Sequence, residues 1–186
     1  MTGERSTREG ILLNLMEEFR CVGFDGVSLS RISEVTGLGK ASLYHHFPGG
    51  KGEMAEAVMA LATQWLEANV FAPMERKGDP AERLEAVLKA LGSFYADGRK
   101  SCLLDVMPLG GGPEIQAAVK AVMQRLIKGF ERLAVDAGQK KAEARARAEA
   151  ALVGIQGSLV VARGLGDPAP FQRQVQTLRE YLLTAE

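Results

Sequence analysis

The sequence predicts an all-α protein in which a small head of three helices precedes a larger helical bundle. Apolar residues recur every three or four positions along nearly the whole chain, which is the spacing of one helix face. Alternation of apolar and polar residues, the pattern of a half-buried strand, is almost absent. Most of the 21 glycines fall between the periodic stretches, where glycine lets the chain leave one helix and begin the next. We expect domains at residues 1–50 and 51–186.

The head is predicted to contain one helix of ordinary length and two short ones. The first covers residues 6–22, with its apolar residues on one face. Ser28 can cap a short second helix, Gly37 makes a tight turn, and a third helix covers residues 40–47. Two short helices joined by about four residues with a central glycine have the spacing of a helix-turn-helix.

Longer helices are predicted in the bundle, at residues 52–71, 80–94, 113–137, 141–163 and 168–183. An irregular stretch, GRKSCLLDVMPLGGGP, separates the second of these from the third. Its GGGP run is interpreted as a loop between helices. A phosphate cradle would need a preceding strand and a following Lys-Ser or Lys-Thr pair, and neither is present.

Composition narrows the functional class. The chain has 186 residues and a formal net charge of zero, so any nucleic-acid surface has to be local. No apolar run is long enough to cross a bilayer, and no secretion signal is visible, so we expect a cytoplasmic protein without a membrane partner. Cys21 and Cys102 lie far apart and imply neither a zinc site nor a disulfide framework. Both are interpreted as apolar fillers, with a redox or ligand-contact role for Cys102 as the alternative.

The two histidines, His45 and His46, do not indicate catalysis or metal binding. Adjacent residues on a helix diverge by about 100°, whereas two helical metal ligands need a spacing of three or four. The sequence contains no HExxH, no phosphate loop ending in Lys-Ser or Lys-Thr, and no GxSxG. We therefore predict no enzyme activity, no catalytic or metal-binding residues, and no cofactor.

The third helix has the side chains that a DNA-reading helix needs. In a helix-turn-helix, the second helix lies in the major groove with its N-terminal residues against base edges. Small or cationic residues can approach bases, while tyrosine and histidine can donate to phosphates. The predicted DNA contacts are Ser28, Lys40, Ala41, Ser42, Tyr44, His45, His46 and Lys51. Between residues 28 and 51, three basic residues, Arg31, Lys40 and Lys51, face one acidic residue, Glu34. Such modest charge favours binding as a dimer, and a plain solvated helix remains the alternative.

Residues 8–56 resemble the head of TetR-type transcriptional regulators. The matching positions are Phe19, Gly23, Phe24, Ser28, Ile32, Gly37, Leu43, Tyr44, Phe47 and Lys51. The sequence departs from the pattern at Ser33, Leu38 and Gly39, and its Pro-Gly-Gly turn is one residue longer than usual. That turn, together with SCLLDVMPLGGGPEIQ, is similar to the subgroup of the lincomycin-resistance repressors.

The resemblance implies a homodimeric, DNA-binding repressor that a small hydrophobic inducer releases from a palindromic operator. It also implies a ligand pocket in the bundle. Aromatic, sulfur-containing and aliphatic residues could line one cavity, and the alternative is that they fill the core. The pocket candidates are Trp65, Phe94, Tyr95, Cys102, Leu103, Leu104, Met107 and Phe130. A transcriptional activator, or a helical binding protein or enzyme with a vestigial helix-turn-helix, also stays open.

The last two helices are predicted to form the dimer interface. Small residues on one side of the first would let a partner helix come close, and the second carries an apolar stripe. The interface candidates are Ala151, Gly154, Ile155, Ser158, Leu159, Ala162, Val175, Leu178 and Leu182. The KKAEARARAE run before them is interpreted as a solvated helix start.

Overall fold

A computed structural model of the chain describes residues 7–108 and 110–184, which form helices and turns without any strand in that described part. The predicted all-α class is confirmed. The α-helices, in chain order, are α1 (Arg8–Gly26), α2 (Leu29–Thr36), α3 (Lys40–His46), α4 (Gly50–Leu66), α5 (Ala72–Glu75), α6 (Pro80–Phe94), α7 (Leu103–Val106), α8 (Gly112–Asp136), α9 (Lys141–Leu165) and α10 (Ala169–Leu183).

Contacts between residues divide the chain into two compact units. Unit 1 contains residues 7–63, 103–108 and 110–119, and unit 2 contains residues 64–102 and 120–184. Unit 1 therefore extends beyond the head that we placed at residues 1–50. It also includes most of α4 and an internal segment that holds α7 and the start of α8. The assignment of separate functions to residues 1–50 and 51–186 stays a prediction.

The helix α1 shows how that internal segment joins unit 1. We expected the first helix at residues 6–22; residue 6 lies outside the described residues, and the helix continues to Gly26. Gly23 interrupts it with a φ of 71°, a conformation that favours glycine. A Cβ on Gly23 would lie 3.1 Å from the carbonyl oxygen of Val106 in α7. Glycine thus permits both the break and the close approach.

A continuous apolar core holds unit 1 together. Its side chains come from α1, α2, α3 and α4 and from the residues that follow α1 and α3, which is why these helices show apolar residues every three or four positions. The fully or almost fully buried members are Ile11, Leu15, Phe19, Val27, Ile32, Leu43, Phe47, Met54 and Val58. Burying one such side chain contributes about 1.5–3 kcal/mol. The short helices α2 and α3 are therefore stabilised by tertiary packing rather than by their own propensity.

Unit 2 has its own core between α6, α8, α9 and α10. The buried members include Val87, Leu91, Phe130, Leu133, Ile155, Leu159, Phe171 and Leu178. A buried arginine adds hydrogen bonds to this core. The Arg83 guanidinium donates to the Asp136 carboxylate at 2.6 Å and to the carbonyl oxygen of Met74. Arg83 thereby joins α5, α6 and α8. The helix predicted at residues 52–71 is α4 followed by a π-helical turn at Glu67–Phe71.

The helix α9 has the length and composition of a membrane-spanning helix, contrary to the expectation that no segment is long and apolar enough. One face of it is buried within unit 2, where α9 packs against α10. The buried residues are Ala144, Ala148, Ala151, Leu152, Ile155, Leu159 and Ala162. A buried stripe of small and apolar residues is what a core helix needs, because it lets the neighbouring helix come close.

Candidate nucleic-acid interface

Local chemistry explains why α2 and α3 form at these positions. Ser28 caps α2, because its hydroxyl accepts a hydrogen bond from the backbone N–H of Arg31 at 3.1 Å. Gly37 ends α2 in the left-handed conformation, with a φ of 70°. Ile32 and Leu43 are buried and fix the two helices against the core of unit 1. The opposite side of α3 is left to solvent.

The exposed side of α3 gathers four of the predicted DNA contacts. Lys40, Ala41, Tyr44 and His45 are all exposed. Lys40 lies four residues before Tyr44 and Ala41 lies four residues before His45, so the members of each pair are neighbours on the exposed side of the helix. The other two predicted contacts of α3, Ser42 and His46, are half-buried. The face therefore presents an ammonium, a methyl group, a phenol and an imidazole to solvent.

The paired histidines lie as their adjacency predicts. The rings of His45 and His46 are edge-on, with centroids 5.8 Å apart, and the His46 ring also approaches that of Phe47 at 6.4 Å. Within the described part of the chain, no group of three histidine, cysteine or acidic residues lies close enough together to hold a metal ion. His45, the exposed member, is the better placed of the two to reach a phosphate.

The longer Pro-Gly-Gly turn after α3 is held by two hydrogen bonds. The N–H of Gly50 donates to the carbonyl oxygen of Phe47 at 2.9 Å, and the N–H of Gly49 donates to the Glu53 carboxylate at 2.7 Å. Gly50 has a φ of 66°, and its Cα faces the Tyr44 ring, which would lie 3.6 Å from an added Cβ. The turn thus supports the ring of Tyr44.

Lys51, which is predicted to contact a phosphate, makes its hydrogen bonds inside unit 1. Its Nζ donates to the carbonyl oxygens of Phe24 at 3.0 Å and Val27 at 3.1 Å, and it lies 4.4 Å from the centre of the Phe24 ring. An ammonium has three donors, and two of them are used inside unit 1. Lys51 therefore ties α4 to the end of α1, and the charge it could offer to DNA is largely engaged.

Arg31 is also less available than its sequence position indicates. Its guanidinium makes two hydrogen bonds of 3.0 Å to Glu18 and a third of 3.0 Å to Glu34. The hydrogen bonds to Glu18 and then to Glu34 raise the pKa of Arg31 above its ordinary value. Sequence reasoning missed Glu18, because it lies on another helix and no local spacing connects it to Arg31. The basic character of the interface consequently rests on Lys40.

The pocket candidates are divided between the two units. In unit 2, the rings of Trp65 and Phe94 stack with their centroids 4.4 Å apart. The Tyr95 ring packs edge-on against Phe94, with a centroid distance of 5.3 Å. The Tyr95 hydroxyl lies 3.2 Å from the Cys102 sulfur, and Phe171, which sequence reasoning missed, lies 5.8 Å from the Tyr95 ring. Phe130 is buried in the same unit, whereas three candidates are buried in unit 1: Leu103, Leu104 and Met107.

Most of the dimer candidates lie on the buried sides of α9 and α10. Six of them are buried within the chain itself and cannot offer their side chains to a partner: Ala151, Ile155, Leu159, Ala162, Leu178 and Leu182. Gly154 also faces inward, because an added Cβ would lie 2.4 Å from the Gln174 amide. Helical periodicity cannot distinguish packing against the same chain from packing against a second copy. The outer face of α9 instead exposes Val153, Val160, Val161 and Leu165, with Val153 71% and Leu165 68% exposed.

Comparison with known proteins points to one family. The sequence profile of bacterial regulatory proteins of the tetR family matches residues 11–58. The chain is 34% identical over 106 residues to the HTH-type transcriptional regulator LmrA of Bacillus subtilis, covering 56% of this chain and 54% of that protein. It is 30% identical over 95 residues to the uncharacterized HTH-type transcriptional regulator YxaF of the same organism, covering 51% and 50%. The chain thus spans about half the length of these curated relatives.

Solved structures resemble the chain over almost its whole length. A TetR-family transcriptional regulator from Agrobacterium tumefaciens is 27% identical, with a TM-score of 0.75, covering 95% of this chain and 97% of that one. SCO4454, a TetR-family regulator from Streptomyces coelicolor, shares the fold with a TM-score of 0.77 at 21% identity, covering 94% and 93%. The matched residues 11–58 include α1 from residue 11 onward and all of α2 and α3.

Proposed function

We propose that the chain is a transcriptional regulator of the TetR family and acts as a homodimeric repressor that binds a palindromic operator through α3; the family profile over residues 11–58 and the shared fold support this. The exposed face of α3 carries this proposal. Lys40 and Ala41 lie at its N-terminal end, where a recognition helix meets base edges. Lysine can pair with the acceptors of guanine, and the alanine methyl can meet a thymine methyl.

Phosphate contacts would orient the helix in the groove. The Tyr44 hydroxyl and a ring N–H of His45 are suited to phosphate oxygens, since both side chains are exposed on the same face as Lys40. Ser42 and His46 are half-buried and would contribute at the edge of the interface. Ser28 has its hydroxyl engaged as the cap of α2, so its N-capping role comes before any contact with DNA.

We assign the dimer interface to the outer face of α9. Val153, Val160, Val161 and Leu165 are exposed apolar residues along that face, and Gly157 leaves open space between them. Two copies of such a face would pack about a two-fold axis, in an isologous interface. A two-fold dimer places its recognition helices about 34 Å apart, in successive major grooves, which corresponds to a near-palindromic operator.

A small hydrophobic molecule would act as the inducer. The half-buried stack of Trp65 and Phe94, with Tyr95 and Cys102 beside it, is the best candidate for its site in unit 2. Aromatic and sulfur-containing walls suit an apolar ligand. A ligand that favours one spacing of the two heads needs a coupling free energy of only about 1–3 kcal/mol to release the operator. The protein would act in the cytoplasm, without catalysis and without a cofactor.

The test is operator binding by variants of the exposed α3 face. Lys40→Ala and Tyr44→Ala should each weaken binding to the DNA upstream of the protein's own gene by at least tenfold in fluorescence anisotropy. Circular dichroism and sedimentation should be unchanged, because both side chains are exposed. Lys77→Ala, a change at an exposed residue of unit 2, is the matched control. Operator affinity equal to that of the control in both α3 variants would refute the DNA-binding role of this face.

A further inference from the structure

A groove of about 640 Å³ lies between the second half of α8 and the first turns of α9, entirely within unit 2. That volume falls within the ordinary range for small-molecule sites, about 300–1,000 Å³. The residues that matter for its chemistry are Lys128, Glu131, Arg132, Val135, Lys141 and Arg145. The groove uses none of the residues assigned to DNA binding, dimerisation or the aromatic cluster.

The groove concentrates positive charge in a chain whose formal net charge is zero. Two of its four basic residues have carboxylate partners: Arg145 binds Glu149 at 2.7 Å and Glu131 at 3.4 Å. Arg132 lies 3.8 Å from Asp136, which already accepts a hydrogen bond from Arg83.

The other two basic residues of the groove, Lys128 and Lys141, are not neutralised. Across residues 7–108 and 110–184, no carboxylate forms an ion pair with either ammonium. One lysine lies on α8 and the other on α9, so the two unpaired charges belong to opposite walls of the groove.

Apolar surface lines the same groove. Val135 lines the groove and is 41% exposed, which is a large fraction for a valine on a helix that packs into a core. The stems of lysine and arginine add methylene surface while their charged ends stay in water. A groove lined by both apolar atoms and unpaired ammonium groups is complementary to a molecule that has an apolar chain and one acidic end.

We propose that this groove binds an anionic amphiphile, whose acid group pairs with Lys128 and Lys141 and whose apolar chain lies over Val135. A nucleic acid fits less well, because the two unpaired lysines would neutralise few phosphates and Glu131 would repel others. The lining also contains no aromatic side chain on which a base could stack. A cationic amphiphile would meet two uncompensated positive charges.

The experiment compares laurate, below its micelle concentration, with dodecyltrimethylammonium, a cation of the same chain length. Isothermal titration calorimetry with the whole chain gives the affinity for each amphiphile. The methyl resonances of Val135 in ¹³C-methyl-labelled protein report where the ligand lies. Laurate should shift those resonances and bind at least tenfold more tightly than the cation. Lys128→Gln/Lys141→Gln should weaken laurate binding about tenfold, since two exposed charge pairs are lost. Each single variant should give about a threefold loss.

The matched control is Lys77→Gln/Lys120→Gln, which removes the same charge from exposed positions outside the groove. Equal laurate affinity for the two double variants would overturn the proposal, as would shifts that spare Val135 or equal binding of the cationic amphiphile. Vesicles of phosphatidylglycerol distinguish a free acid from a lipid surface: binding to vesicles without binding to monomeric laurate also overturns it. No DNA is present, so the result does not depend on operator binding.

Discussion

The carboxylates around Arg31 should weaken DNA binding, and removing their charge should strengthen it. Arg31 lies in the first turn of α2, the helix that crosses the DNA backbone in helix-turn-helix proteins. Three hydrogen bonds of 3.0 Å hold its guanidinium to Glu18 and Glu34. We predict that Glu18→Gln/Glu34→Gln frees Arg31 to pair with a phosphate and raises operator affinity.

The size of the expected gain in operator affinity follows from counterion release. Each phosphate neutralised on B-DNA adds about 0.9 to the slope of log affinity against log salt concentration. One additional contact in each protomer of a dimer therefore makes the slope steeper by about 1.8. Between 200 mM and 50 mM salt, the advantage of the double variant over the unmodified protein should grow roughly tenfold.

Fluorescence anisotropy across this salt range is the appropriate assay. The matched control is Glu9→Gln/Glu56→Gln, which removes the same charge from exposed positions of unit 1 without touching Arg31. A general loss of repulsion would strengthen both double variants equally. Equal salt slopes for the two would show that Arg31 does not reach a phosphate, and the reasoning would be refuted.

Two further predictions concern Lys51 and the outer face of α9. Lys51→Met should lower the free energy of unfolding, measured in urea, by about 2 kcal/mol, because two hydrogen bonds from a charged group are lost. Unchanged stability together with weakened operator binding would contradict this and would indicate that Lys51 contacts a phosphate instead. Val153→Glu/Val161→Glu should yield helical monomers in analytical ultracentrifugation, since both residues are exposed. Leu13→Glu, at an exposed leucine of α1, should leave the dimer intact, and a dimeric double variant would contradict the interface.

Local pattern was sufficient for the longer helices and for which side of α3 is exposed, but it missed the short helices α5 and α7. Leu43 is buried and Tyr44 is exposed because a helix with one apolar residue per turn on its inner side has only one way to pack. The capping role of Ser28 and the turn at Gly37 were also predictable, since each depends on neighbours within three residues. These features of the candidate interface are properties of short segments.

Features that depend on contacts between distant segments were not predictable. The partners of Lys51 are carbonyl groups 24 and 27 residues away, and Glu18 is 13 residues from Arg31. In each case the sequence shows a basic residue at a suitable position, but not the acceptor that engages it. The packing of the inner face of α9 against α10 was not predictable for a related reason: small residues permit close helix packing whether the partner is α10 of the same chain or a second copy.

The discontinuity of unit 1 limits how DNA specificity can be exchanged between related regulators. A chimeric repressor that joins two proteins at a single point after α3 would exchange only the first part of this unit. Residues 103–108 and 110–119 belong to the same compact unit as α1, and the carbonyl of Val106 lies against the break at Gly23. A graft that ends at residue 63 would bring a foreign segment to that contact. A transplantable specificity module of this protein therefore consists of two pieces of chain, and both have to be transferred together.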